Sequence, residues 1–272
     1  MTNPLPKILL TGACGKLSRS IRPYLVQWCS ELRLTDIVSP VAEHDMETCH
    51  RADIADIDQH PETFDGIDAI VHFSGYPREA DWDTLMAPNV IGSAKLWEMA
   101  QRHGVGRIVY ASSNHAIGFY PRSHTVDGHV LPRPDTRYGV TKVFMEALAS
   151  LYADKHGLRG FGLRIGHGSL EPKDRRMLAT WVHPEDLADL VRVGLQADYL
   201  CEIVYGVSNN ASAWWDNQRA HDLGYRPRHS SDPFIEALQC VVSDDPVAER
   251  YQGGTFAAAE YVGDPLRPIR AR

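Results

Sequence analysis

The chain has 272 residues, 43% of them hydrophobic and 23% charged, which suits one large globular domain with a full core. Its formal net charge is −7 and basic residues are not clustered along most of it, which argues against nucleic acid as the main partner. No apolar run is long enough to span a bilayer, and the pattern of the first residues does not predict a signal peptide. The five cysteines lack CxxC spacing. We therefore expect a cytoplasmic protein with no disulfide framework and no metal site.

The first half of the chain alternates predicted strands with predicted helices. KILL predicts a strand that runs into a glycine loop and a helix, and ELRLTDIV predicts a second strand that ends near Asp36. Further strands are expected around Glu47–Arg51 and at DAIVHFSG and RIVYASS. A helix is expected at NVIGSAKLWEMAQRHGV, with Asn89 as its N-cap, and a long amphipathic helix runs from Asp135 to His156.

The second half continues the alternation and then becomes less regular. LRGFGLRIG and CEIVYGVS predict strands, HPEDLADLVRVGLQA predicts a helix, and one more helix is expected near Phe234–Val242. Apolar strands separated by helices are typical of an α/β fold, a Rossmann-type doubly wound parallel sheet. We predict this NAD-binding domain over residues 1–165. Residues 166–272 would form a small C-terminal substrate-binding portion, interleaved with the final Rossmann elements and packed on the first domain.

The loop TGACGKLS favours a nucleotide site. Gly12 and Gly15 directly follow the first strand, where glycines let the backbone approach a pyrophosphate at a helix N-terminus. Asp36 ends the second strand, where a carboxylate would bond the adenosine ribose hydroxyls and repel a 2′-phosphate. NAD is therefore expected, and not NADP. Ser18 stands where a third glycine is usual.

The motif RYGVTK places Tyr138 and Lys142 one helical turn apart. Such a pair alone is common on exposed helices. Together with the glycine loop, Asp36 and the ASS that ends a buried strand, it resembles the extended short-chain dehydrogenase/reductase superfamily from Lys7 to about Ile165. SSNHAIGFYP, RPDTRYGVTK, RRMLATW, AWWDN and RYQGGTF are similar to the uronate dehydrogenases, NAD-dependent enzymes that oxidise hexuronates at the anomeric carbon.

This resemblance implies roles for the reacting residues. Tyr138 would be the base, and a nearby Lys142 ammonium would favour its phenolate, since free tyrosine has a pKa of about 10. Ser113 would bond the reacting oxygen, whereas Ser112 is expected to be structural. The residues expected to line NAD are Gly12, Gly15, Lys16, Leu17, Asp36, Asp53, Ile54, Phe73, Lys142 and Ile165.

The resemblance also implies a site for a sugar acid. Asn114 and His115 would face substrate hydroxyls, together with Ser113. Arg176 would bind the uronate carboxylate through two parallel hydrogen bonds, while Lys173 and Arg175 are expected to be solvated. His167 departs from the family, which has a small hydroxyl residue there.

Three alternatives stay open. His167, Arg175 and Arg176 could instead bind the phosphate of a hexose 6-phosphate. A sugar-nucleotide epimerase-like enzyme would share the fold, and an NAD sensor would need no proton-transfer residues. The aromatic C-terminal segments, which we expect to be exposed, favour a homo-oligomer.

Overall fold

The computed structural model describes residues 6–265. A sheet of seven parallel strands forms its centre, in the order β3-β2-β1-β4-β5-β6-β9. A separate parallel pair joins two short strands, β7 and β8. The strands are β1 (Lys7–Thr11), β2 (Glu31–Asp36), β3 (Glu47–Arg51), β4 (Ala69–His72), β5 (Arg107–Ser113), β6 (Arg159–Ile165), β7 (His167–Gly168), β8 (Trp181–Val182) and β9 (Cys201–Gly206).

Helices cover both faces of this sheet. The α-helices are α1 (Lys16–Leu25), α2 (Trp82–Leu85), α3 (Gly92–Arg102), α4 (Arg137–His156), α5 (Arg175–Thr180), α6 (Pro184–Gln196), α7 (Gln218–Asp222), α8 (Ile235–Leu238), α9 (Pro246–Arg250) and α10 (Thr255–Ala258). Short 3₁₀ turns and one π-helix, Met86–Ile91, complete the described elements.

The period-two alternation of a strand divides the core into two clusters. Ile8 of β1 faces the cluster that contains residues of α1 and α6. Leu9 faces the opposite cluster, built with residues of α3 and α4. Both faces of the central strands are therefore buried, which explains why they are continuous apolar runs. The predicted Rossmann-type fold is confirmed.

The strand order reverses between β1 and β4, and a crevice opens there at the carboxyl ends of the strands. Gly12 turns the chain at this point with a positive φ of 68°. A Cβ on Gly12 would lie 2.7 Å from the backbone of Phe73, which follows β4. Only glycine fits there, because both the backbone angle and the space exclude a side chain.

Helix α4 begins two residues later than expected. Thr136 caps it by accepting the backbone N–H of Gly139 at 3.0 Å, and Gly157 ends it in the left-handed region. Because Thr136 is the N-cap, Asp135 lies outside the helix. Asp135 is free to turn inward, and it is buried.

The C-terminal part departs most from expectation. Instead of a helix over Phe234–Val242 there is a 3₁₀ turn, Asp232–Phe234, and the single turn α8. Helices α7, α9 and α10 were not predicted, because four or five residues show no helical period. Gln252 ties this part to the rest: it accepts the Trp215 indole N–H and donates to the carbonyls of Pro121 and His124.

Strand β9 joins the main sheet beside β6, and the predicted division of the chain at residue 165 stays a prediction. No aromatic side chain of the described C-terminal residues is exposed, so this basis for a homo-oligomer is absent there. The oligomer itself stays a prediction. Within residues 6–265 no helix is long and apolar enough to cross a membrane.

Candidate active site

A cavity of about 870 Å³ lies at the carboxyl ends of the strands. Its walls come from the glycine loop, the segments that follow β4, β5 and β6, helix α4, and the residues around α5 and α10. This cavity brings together most of the residues predicted from the sequence: Gly15, Lys16, Leu17, Phe73, Ser113, Asn114, His115, Tyr138, Lys142, Ile165, His167 and Arg176.

Four predicted cofactor residues lie beyond its lining. Gly12 is in the turn beneath Phe73. Asp36 ends β2, where its carboxylate accepts the backbone N–H groups of Cys14, at 2.9 Å, and Val38, at 3.1 Å. Asp53 caps a 3₁₀ turn through the Ala55 N–H, and Ile54 is buried in the core.

The glycine turn fits a dinucleotide in this chain's own geometry. Gly15 is the N-cap of α1 and has no side chain that could fill the space in front of the helix N-terminus. Asp36 is held beside the turn by Cys14, at the place where a ribose diol would reach it. Ser18 is buried in the first turn of α1, and its hydroxyl lacks a hydrogen-bond partner among the described residues.

The three proposed reacting side chains meet at one wall. Ser113 ends β5, and α4 presents Tyr138 and Lys142 on one face. The Lys142 ammonium lies 5.4 Å from the Tyr138 ring centroid and donates to the carbonyl of Ala111 at 2.8 Å.

Burial has the largest effect on the pKa values of Tyr138 and Lys142 in this wall. It raises the pKa of Tyr138 to about 12, against a hydrogen bond with Ser113 that lowers it. It also lowers the pKa of Lys142 to about 8, against the Glu146 carboxylate that raises it. The expected lowering of the tyrosine pKa by the ammonium is not found in the protein alone: burial, which penalises the charged form of each group, raises that pKa instead.

Ser112 has a different task from Ser113. Its hydroxyl donates to Glu146 at 2.6 Å, and the same carboxylate receives two hydrogen bonds from Arg164, each of 2.9 Å. All three side chains are buried, so the ion pair joins α4 to β5 and β6 under the cavity. This supports the structural role expected for Ser112.

Arg176 reaches the cavity from α5. Its Nε donates to the Gln252 carbonyl at 2.8 Å. With the Asn114 amide oriented to suit its neighbours, Asn114 accepts from the guanidinium at 2.8 Å and donates to the Ile165 carbonyl at 3.2 Å. Burial lowers the pKa of Arg176 to about 10, so the group remains charged at neutral pH. Among residues 6–265 it forms no ion pair with a carboxylate.

Two residues that sequence reasoning did not assign support His115. Asp135 accepts from its Nδ1 at 2.8 Å, and Phe256 stacks on its ring with centroids 4.0 Å apart. Gly118 and Gly253 leave room for the Asp135 carboxylate, since a Cβ on either would overlap it. An Nδ1–H donated to Asp135 leaves the Nε2 lone pair available in the cavity.

Asn89 is not an N-cap, contrary to our expectation. It lies in the π-helix that precedes α3, and its amide bonds both the N–H and the carbonyl of Tyr76, at 2.7 and 3.0 Å. It also donates to Thr141 of α4 at 3.1 Å. Asn89 thus fixes one wall of the cavity relative to the helix that carries Tyr138.

The basic residues near Arg176 do not form one cluster. Arg175 is half exposed and pairs with Glu249, and Lys173 is exposed. Burial, Lys16 and Arg176 together lower the pKa of His167, which favours its neutral form at pH 7.

A doubly wound parallel sheet with a glycine turn at its switch point, and a Ser/Tyr/Lys set beside the same cavity, define a nucleotide-dependent dehydrogenase. Comparison with known proteins agrees: the chain belongs to the NAD dependent epimerase/dehydratase family, whose model matches residues 8–185. NAD is its cofactor.

Individual relatives are similar over nearly the whole length. Uronate dehydrogenase of Pseudomonas putida is 41% identical over 267 residues, which cover 95% of this chain and 98% of the relative. A mutant uronate dehydrogenase from Agrobacterium tumefaciens, complexed with NAD, is similar in structure, with a TM-score of 0.88, 37% identity and coverage of 93% and 97%. Glucuronic acid dehydrogenase from Chromohalobacter salexigens has a TM-score of 0.89, 40% identity and coverage of 96% and 98%.

Proposed function

We propose that this protein oxidises a hexuronate, glucuronate or galacturonate, at its anomeric carbon to the aldarolactone. The observation that carries the proposal is Arg176: a half-buried, desolvated guanidinium without an ionic partner among the described residues borders the same cavity as Tyr138 and Ser113. A desolvated cation without a carboxylate is costly, and a substrate carboxylate would offset that cost. The uronate dehydrogenase relatives support the same substrate class.

In the proposed mechanism Tyr138 takes the proton of the anomeric hydroxyl as its C–O bond becomes a carbonyl. The hydride of the same carbon would pass to NAD, which would supply the redox chemistry when bound. Ser113 donates to the reacting oxygen and keeps it against the phenol. Lys142 supplies positive charge that favours the phenolate, and its ammonium would also bond the nicotinamide ribose. Because the ring oxygen stays attached to that carbon, the product is a lactone.

The remaining polar side chains would orient the sugar. His115 would accept a substrate hydroxyl at Nε2, since Asp135 holds its other nitrogen. Asn114 would bridge the substrate and Arg176, which it already contacts. His167, neutral at pH 7, would take the place of a small hydroxyl residue as a hydrogen-bond partner.

Asp36 carries a prediction about cofactor choice. We expect Asp36→Ala to reduce the ratio of kcat/KM with NAD to kcat/KM with NADP about tenfold or more. The substitution removes a ribose contact and the repulsion of a 2′-phosphate. Exposed Asp45 provides a matched control, Asp45→Ala, which should keep the wild-type ratio. A wild-type enzyme that prefers NADP would contradict the assignment.

A substrate panel tests the function itself. We expect NAD reduction with glucuronate or galacturonate, and little with glucose or glucose 6-phosphate, at pH 6 and pH 8. His167→Ser should leave uronate oxidation intact or improve it. The competing phosphate site would need a charged His167 beside Arg175 and Arg176, so preference for glucose 6-phosphate that grows below about pH 6.5 would favour it. No turnover of any sugar by a protein that binds NAD would favour a sensor.

A further inference from the structure

A second cluster of chemically active side chains lies outside the catalytic cavity. His183 is the N-cap of α6, Glu185 is in the first turn of that helix, and His229 approaches from the segment that follows α7. One possible ligand atom from each lies within 4.8 Å of the other two. The two imidazole rings stack, with centroids 3.6 Å apart and planes inclined by 20°. None of the three borders the catalytic cavity.

The hydrogen bonds of His229 point its lone pair at Glu185. Its Nδ1 lies 3.2 Å from Asp186, a fully buried carboxylate, so this nitrogen carries the proton. Its Nε2 then lies 3.5 Å from Glu185 Oε2, so either a proton on Nε2 or a metal ion would satisfy this pair of atoms. With metal–ligand bonds of about 2.0–2.1 Å and tetrahedral angles, two donor atoms on zinc lie roughly 3.4 Å apart.

Further contacts agree with a metal ligand set. A histidine that donates Nδ1–H to a carboxylate and presents Nε2 is the usual outer arrangement of a zinc ligand. The second imidazole is that of His183, whose ring stacks on the His229 ring. Its Nδ1 accepts the Glu185 backbone N–H at 3.2 Å, a long bond whose loss costs little beside a zinc–nitrogen bond.

We propose that His183, Glu185 and His229 bind a divalent transition-metal ion, zinc by preference, with Asp186 orienting His229. Two imidazoles and one carboxylate suit zinc better than magnesium or calcium, which prefer oxygen ligands alone. The ion would join the start of α6 to the segment around His229. The Arg228 guanidinium, 3.4 Å from the other Glu185 oxygen, is the competing cation and is largely exposed. The site is independent of the proposed reaction.

The test is zinc titration of untagged, EDTA-treated protein against a chromogenic chelator. Wild type should bind one Zn²⁺ per chain saturably, and zinc should raise its melting temperature. His229→Gln and Glu185→Gln should each weaken binding about tenfold or more and reduce that rise. His103→Gln is the matched control: His103 lies 3.4 Å from Asp65 as a single pair, and its loss should change neither measurement.

Binding is read without turnover, so the result does not depend on the substrate. The proposal is overturned if wild type shows no saturable 1:1 binding, or if His229→Gln and Glu185→Gln bind zinc as wild type does. Circular dichroism of each variant checks that the fold persists. An equal loss of zinc binding in His103→Gln would also overturn the proposal. Zinc would then bind scattered surface histidines among the 13 of the chain.

Discussion

Replacement of Tyr138 by phenylalanine should reduce kcat with a uronate by about two to four orders of magnitude. The change removes only the hydroxyl that takes the substrate proton, and the ring still fills its place beside His115 and Phe256. NAD should bind nearly as before, measured by fluorescence or calorimetry, because Tyr138 is not needed to hold the pyrophosphate or the adenosine.

Tyr152 offers a control on the same helix. It is half-buried and contacts His156, so Tyr152→Phe should keep near-normal turnover. The pH profile gives a second measurement: burial raises the pKa of Tyr138, so the active phenolate is the minor form near neutrality. The wild-type rate should therefore increase from pH 6 to 7.5, and the residual rate of Tyr138→Phe should not. Near-normal turnover of that variant would show that another group is the base.

The sheet, and the grouping of the proposed reacting residues at one edge of it, were accessible to sequence reasoning for a physical reason. Buried parallel strands are continuous apolar runs, and the glycine turn is needed wherever backbone must pass close to Phe73. Residues at the carboxyl ends of neighbouring strands meet at one edge, so Ser113 and Ile165, whose Cα atoms are paired across β5 and β6, had to lie together. The order of the strands in the sheet therefore accounts for most of the residues that line the cavity.

Contacts between distant segments were beyond that reasoning. Asp135 was taken as the start of α4, and nothing in the chain indicates that Gly118 and Gly253 would make space for its carboxylate. Phe256 stacks on His115 from a single helical turn that has no readable period. The pair of His183 and His229 has no motif spacing either, and the cysteines alone argued against a metal. Side chains that meet only through tertiary packing leave no local pattern.

The substrate's charge gives the last expected result. Arg176→Ala should lower kcat/KM for a uronate about 30- to 5,000-fold, a loss of roughly 2–5 kcal/mol in transition-state binding. The substrate carboxylate would then enter the cavity without its cation. The neutral aldose should be a poor wild-type substrate and should lose little more in the variant. Arg176→Lys should fall between, since an ammonium keeps the charge but not the two parallel hydrogen bonds.

Arg175→Ala is the control that distinguishes a role of Arg176 in substrate recognition from a structural role. Arg175 is half exposed and already paired with Glu249, so Arg175→Ala should change uronate oxidation little. Arg176 also holds the Gln252 carbonyl and Asn114, and a purely structural role would reduce the rates with uronate and aldose equally. The ratio of the two kcat/KM values therefore decides the matter. If the uronate-to-aldose ratio of kcat/KM drops at least tenfold in Arg176→Ala and is unchanged in Arg175→Ala, the Arg176 guanidinium binds the substrate carboxylate.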